Sequence, residues 1–113
     1  MLSILIPVRN EYENLEKIES TFREKFKVKD FEVLIINDFS TDNTLQKAKE
    51  LSEKNSNLKV INNKIKGLGG AINLGISESR GEYICIMMAD FSDSLDDMTR
   101  YFNLIKSKNL DAV

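Results

Sequence analysis

The sequence predicts an α/β protein: a Rossmann-like, mostly parallel sheet flanked by helices, in the order β-α-β-α-β-α-β-α. Short runs of Ile, Leu and Val alternate strictly with longer segments whose apolar residues recur every three or four positions. The short runs are apolar almost throughout, as strands covered on both faces must be. Such alternation implies parallel pairing through right-handed crossovers, and hence a doubly wound sheet.

Leu2 to Val8 (LSILIPV) reads as the first strand. From Glu11 to Phe26 a helix is predicted, because Leu15, Ile18, Phe22 and Phe26 fall on one face. Phe31 to Ile36 (FEVLII) is the second strand. Ser40-Thr41-Asp42 supplies N-cap chemistry for a second helix with Leu45, Ala48 and Leu51 inward. Leu58 to Ile61 is a shorter third strand, followed by glycines that open a helix over about Leu68 to Glu78. Arg80-Gly81 turns the chain into the fourth strand, Tyr83 to Met88. Ser94 then caps a last helix with Leu95, Met98, Phe102 and Ile105 inward. Ala112-Val113 reads as the beginning of a fifth strand, so the expectation is a single domain over residues 1–113, truncated at its C-terminus.

Composition narrows the chemistry. At 113 residues the chain is about one small domain, and 42% apolar residues allow a real core. A net charge of −2 lacks the basic footprint of a nucleic-acid binder. The longest apolar run, Tyr83 to Ala89, falls short of the roughly 20 residues that span a bilayer. No signal-peptide pattern opens the sequence. The single cysteine, Cys85, excludes an internal disulfide and fits a reducing compartment. With no histidine, neither a Ser-His-Asp triad nor a His-containing zinc site can form. Chemistry must rest on carboxylates, amides, basic residues and a metal they recruit.

In an open parallel sheet, ligands bind at the carboxyl ends of the strands where the strand order reverses. An order of 3-2-1-4 would set three tips side by side: Arg9-Asn10-Glu11, Asn37-Asp38, and Asp90 with Asp93. Helices begin just beyond these tips, and their N-terminal N–H groups favour phosphate. A phosphorylated ligand held partly through a hard divalent cation is implied. The first strand ends without a glycine fingerprint, and G-x-x-x-x-G-K-S/T is missing, which argues against dinucleotide and P-loop sites. The glycine cluster Gly67, Gly69 and Gly70 follows the third strand instead, where backbone can approach a ligand closely.

The segments SILIPVRNEYENL, FEVLIINDFSTDNT, KGLGGAINLGI and RGEYICIMMADFSD, in that order, resemble the family 2 glycosyltransferases. Those related to dolichol-phosphate mannose synthases and polyisoprenyl-phosphate glycosyltransferases are the most similar. The resemblance implies the GT-A fold, a UDP- or GDP-sugar donor, and Mg²⁺ or Mn²⁺. It further implies inverting transfer to a glycan hydroxyl or a lipid phosphate, in cell-envelope or glycan biosynthesis, in the cytoplasm or at the cytoplasmic face of a membrane. Pro7 and Glu11 would line the nucleoside pocket with Asn37 and Asp38, and Gly67, Gly69 and Gly70 would border the donor, while Arg9 could meet one of its phosphates. Asp90 matches the last acid of the family's D-x-D metal motif. Met88 stands at the first position, where a thioether cannot ligate a hard cation, so Asp93 is the candidate replacement. No catalytic base is assignable; the family would supply it beyond Val113.

Each residue also has a plainer use. Asp38 could cap the second helix, Asp90 could form a loop, and Asp93 could cap the last helix. Glu11 could be a first-turn helix charge, Arg9 a solvated cation, and the glycines a turn with close helix–sheet packing. Two other functions stay open: a catalytically incomplete nucleotide-binding module, and a receiver-like signalling domain.

Overall fold

A computed structural model describes residues 1–24 and 30–87. Its elements are β1 (Leu2–Val8), α1 (Tyr12–Glu24), β2 (Phe31–Asn37), α2 (Thr44–Lys54), β3 (Leu58–Asn62), α3 (Leu68–Glu78) and β4 (Tyr83–Ile86). Phe26, the predicted last helix, Met88, Asp90 and Asp93 lie outside the described residues.

The four strands form one parallel sheet in the order β3-β2-β1-β4. The expected order is therefore borne out. All seven residues of β1 are buried, because strands lie on both its sides and helices on both its faces. Side-chain alternation sorts the core into two layers. Leu2, Ile4, Ile6 and Val8 join Val33 and Ile35 under Leu15, Ile18 and Phe22 of α1 and Ala48 and Leu51 of α2. On the other face Leu5, Leu34 and Ile36 meet Ala71 of α3. Gly75 permits this second contact, since a Cβ there would lie 2.8 Å from Ile36 Cδ1 and 3.1 Å from Leu5 Cδ1.

Two details of α2 correct the sequence reading. Its buried face is Thr44, Ala48 and Leu51, while Leu45 is only half-buried. Thr44 tolerates burial because its hydroxyl donates to the Asp42 carboxylate. Nor do Ser40 and Thr41 cap the helix. The Thr44 N–H is held by Asp42 Oδ1 at 2.9 Å, and both neighbours turn instead toward the loop after β1.

At the amino ends of the strands sits a polar cluster inside otherwise apolar strands. Ser3 and Glu32, paired across β1 and β2, are both buried. Ser3 Oγ donates to Glu32 Oε2 at 2.6 Å, as does the Arg80 N–H, also at 2.6 Å. The Gly81 N–H donates to Ser3 Oγ at 2.8 Å, and Lys59 Nζ lies 3.5 Å from Glu32 Oε1. One carboxylate thus ties β1, β2 and β3 to the α3–β4 turn. On the surface a Glu16–Lys47 pair at 2.5 Å, with Glu16 largely in solvent, joins α1 to α2 and contributes little.

Candidate functional site

The carboxyl end of the sheet is built from three loops locked to one another. The Asp38 N–H donates to Val8 O at 2.8 Å and the Asn63 N–H to Asn37 O at 2.9 Å, so β1, β2 and β3 end in step. Beyond them Asn10 fastens the first loop to the second. Its Oδ1 accepts from the Thr41 N–H at 2.7 Å and the Asp42 N–H at 3.3 Å, while its own N–H donates to Ser40 Oγ at 3.0 Å. Both loops hold a non-glycine residue at positive φ, Asn10 at 54° and Phe39 at 56°. Such conformations concentrate at functional sites.

Asp38 is the hub. It is 7% exposed, and its Oδ1 accepts from the Gly67 N–H and from Asn63 Nδ2, each at 3.0 Å. The Gly67 N–H holds its carboxyl below the usual carboxylate range. Burial opposes this, and the Asn63 amide and the positive charges of Arg9 and Lys66 reinforce it. No cap bond to α2 involves Asp38, which removes that plainer use. The chain runs through Gly67 with φ at 117°, a conformation other residues rarely adopt. Gly70 is needed for space, because a Cβ there would lie 2.4 Å from Ile65 O. Gly69 has no such neighbour, so its missing side chain leaves open space on the first turn of α3.

The other candidate residues divide. Pro7 is buried and pairs with Ile36 of β2, past the Leu5–Ile86 end of the β1–β4 pairing. Arg9 is exposed and contributes its charge to Asp38. Glu11 precedes α1 and accepts from Asn14 Nδ2 at 2.7 Å, the helix-start role. Asn37 is buried on the α1–α2 face. Its Nδ2 donates to Asn62 Oδ1 at 3.1 Å, and its Oδ1 alone among the described buried side-chain atoms lacks a hydrogen-bond partner. A cleft of about 480 Å³ at the starts of α1 and α2 is lined by Asn10, Glu11, Tyr12, Asp42 and their neighbours. It does not extend to Asp38. Among the described residues no three acidic groups come together to hold a cation.

Asn63 was not singled out by the sequence, although its Nδ2 reaches Asp38 Oδ1, Ile65 O and Gly67 O. A polar pair, Asn62-Asn63, directly after the predicted third strand was the available signal.

The family described as glycosyl transferase family 2 matches residues 3–113. The chain belongs to that family. Its receiver-like alternative is thereby overturned, and the third strand tip carries Asn63 where that reading needs an aspartate. The dolichol-phosphate mannosyltransferase of Pyrococcus furiosus is 32% identical over 106 residues, covering 94% of this chain and 30% of that protein. Among solved structures, the Pyrobaculum calidifontis mannosyltransferase PcManGT, in complex with GDP-Man and Mn²⁺, superposes with a TM-score of 0.77 at 19% identity. That match covers 92% of this chain and 32% of the other. S. aureus TarS 1-349 in complex with UDP gives 0.71 at 25% identity, over 93% and 32%. This glycosyltransferase family chain thus spans about a third of the length of the proteins it resembles, and it has their GT-A fold. No helix among its described residues is long and apolar enough to cross a membrane.

Proposed function

We propose that this chain provides the donor-binding part of a glycosyltransferase that uses a UDP- or GDP-sugar. The observation carrying the proposal is the junction at Asp38. There a buried, ionised carboxylate, a glycine turn and two cationic side chains, Arg9 and Lys66, meet at the carboxyl ends of β2 and β3. A carboxylate of this kind accepts from the N–H or O–H groups of a base or ribose. The cations and the start of α3 favour a diphosphate. Pro7, Glu11 and Asn37 would border the nucleoside, and Gly69 and Gly70 would let the donor lie close to backbone. Relatives crystallised with GDP-Man or UDP support this reading.

For the metal, Asp90 and Asp93 offer the hard oxygen donors that Mg²⁺ or Mn²⁺ requires, and Met88 does not. A cation held there would neutralise the diphosphate leaving group. The acceptor we assign, following the name of the Pyrococcus relative, is a polyprenyl phosphate, and we place its encounter with the donor at the cytoplasmic face of a membrane. A binding module without turnover is the second reading, favoured by Met88 in place of a metal-binding acid.

Thermal melting with UDP or GDP, with and without Mn²⁺, tests the site. Ligand at about 100 times its dissociation constant adds roughly 2.7 kcal/mol, or on the order of 10 °C for a domain this size. The shift should require Mn²⁺ and vanish in Asp90→Ala. A metal-independent shift favours the second reading, and no shift with either nucleotide in a folded sample removes the donor site.

A further inference from the structure

We propose that Asn63 is a positioning residue for donor binding: its side-chain amide fixes the Asp38 carboxylate and the Gly67 turn as one rigid unit. The inference rests on the donor-site reading of Asp38. Asn63 follows β3, is 7% exposed, and spends its side chain entirely on this junction. Its Nδ2 lies 3.0 Å from Asp38 Oδ1, 2.6 Å from Ile65 O and 3.2 Å from Gly67 O, and its Oδ1 accepts from the Ile65 N–H at 3.4 Å. An amide nitrogen carries two hydrogens, so these three acceptors share them.

A residue that merely closed its own loop would bond to Ile65 and Gly67 alone. Asn63 also crosses to a buried carboxylate just past the end of the neighbouring strand. Gly67 completes the unit, because its N–H reaches the same Asp38 oxygen while its carbonyl takes the first helical bond of α3, from the Ala71 N–H at 3.1 Å. Both donors fall on Oδ1. Among the described residues no hydrogen bond reaches Oδ2, the oxygen left to meet the N–H or O–H groups of a base or ribose. Position 63 requires a donor for this purpose, since a carboxylate there would set acceptor against acceptor. Among the described residues the charged groups facing Asp38 are Arg9 from the β1 tip and Lys66 from the glycine loop.

Titration calorimetry of UDP and of GDP with Mn²⁺, between pH 5.5 and 8.5, tests the role. Wild type should bind one nucleotide, with the pH dependence that the nucleotide's own terminal phosphate brings (second pKa about 6), and serves as the reference at each pH. Asn63→Asp should bind about 10–100-fold more weakly at pH 8, the worth of a hydrogen bond to a charged group. Relative to wild type at the same pH, its affinity should recover toward pH 5.5, where two facing carboxylates share a proton and a donor returns. Asn63→Ser, with a donor of shorter reach, should lose about tenfold at every pH. A loss in Asn63→Asp that ignores pH overturns the proposal, as does wild-type affinity in either folded variant. If circular dichroism finds Asn63→Asp unfolded at pH 8, the affinity of Asn63→Ser decides alone. Wild type that binds neither nucleotide removes the donor site itself, a distinct result.

Discussion

Phe39 stands at a φ of 56° with its ring half in solvent, directly after the buried Asp38. Left-handed backbone costs an L-residue roughly 1–2 kcal/mol, but the covered half of the ring, on the order of 100 Å², returns about 2–3 kcal/mol. Phe39→Gly should therefore destabilise the chain by about 1 kcal/mol, because the lost burial and the extra entropy of glycine outweigh the released strain. A urea midpoint shifted downward would bear this out; an upward shift would mean that the strain outweighs the packing of the ring. Asn10, at φ 54°, belongs to a residue type that adopts this region more readily. Single residues were also where the sequence was least legible. Asp38 stood out because an acid at a strand tip is conspicuous. Asn63, which orients it, looked like loop composition, since an amide's value depends on what it touches across the fold. Glu11 and Asn37 matched a motif, but their side chains turn toward Asn14 and Asn62, contacts that no spacing rule encodes.

Elements were far easier to read. Apolar periodicity located β1, β2, β3 and α3 to within a residue or so, because burial on one face or two dictates residue type at each step. Where polar side chains compete for backbone, the reading slipped. At the start of α2, Ser40 and Thr41 serve the β1 loop, and Asp42 holds Thr44. Ser3 and Glu32 were hidden within apolar strands for a related reason. Burial alone would discourage ionisation of Glu32, but donors from Ser3 and Arg80 and the charge of Lys59 outweigh it, and its carboxyl is lowered. A lowered carboxyl stabilises the fold above its unfolded value of about 4.3, and that contribution is lost as pH falls through the lower folded value. Glu32→Gln should thus weaken the protein at pH 7 by about 1–3 kcal/mol, and the difference from wild type should shrink below pH 4. Chemical denaturation at pH 7 and at pH 3 measures both; an equal loss at the two values would leave the carboxylate without this role.

At the level of the molecule, strand order was legible because parallel crossovers of one hand permit few arrangements, and β3-β2-β1-β4 is among the commonest. The metal half of the proposed site was legible only as residue types, since Asp90 and Asp93 lie outside the described residues. The sheet also keeps its two polar assemblies apart. Ser3 and Val8 mark the opposite ends of β1, five residues and about 16 Å from each other. Ser3→Ala combined with Asp38→Asn should accordingly add to within about 0.5 kcal/mol in unfolding free energy. A larger coupling would mean that the strands transmit strain along their length. Such separation lets natural selection treat upkeep and recognition as independent traits. Loops at one end can be rewritten for a new ligand while the Glu32 cluster at the other preserves the architecture that carries them.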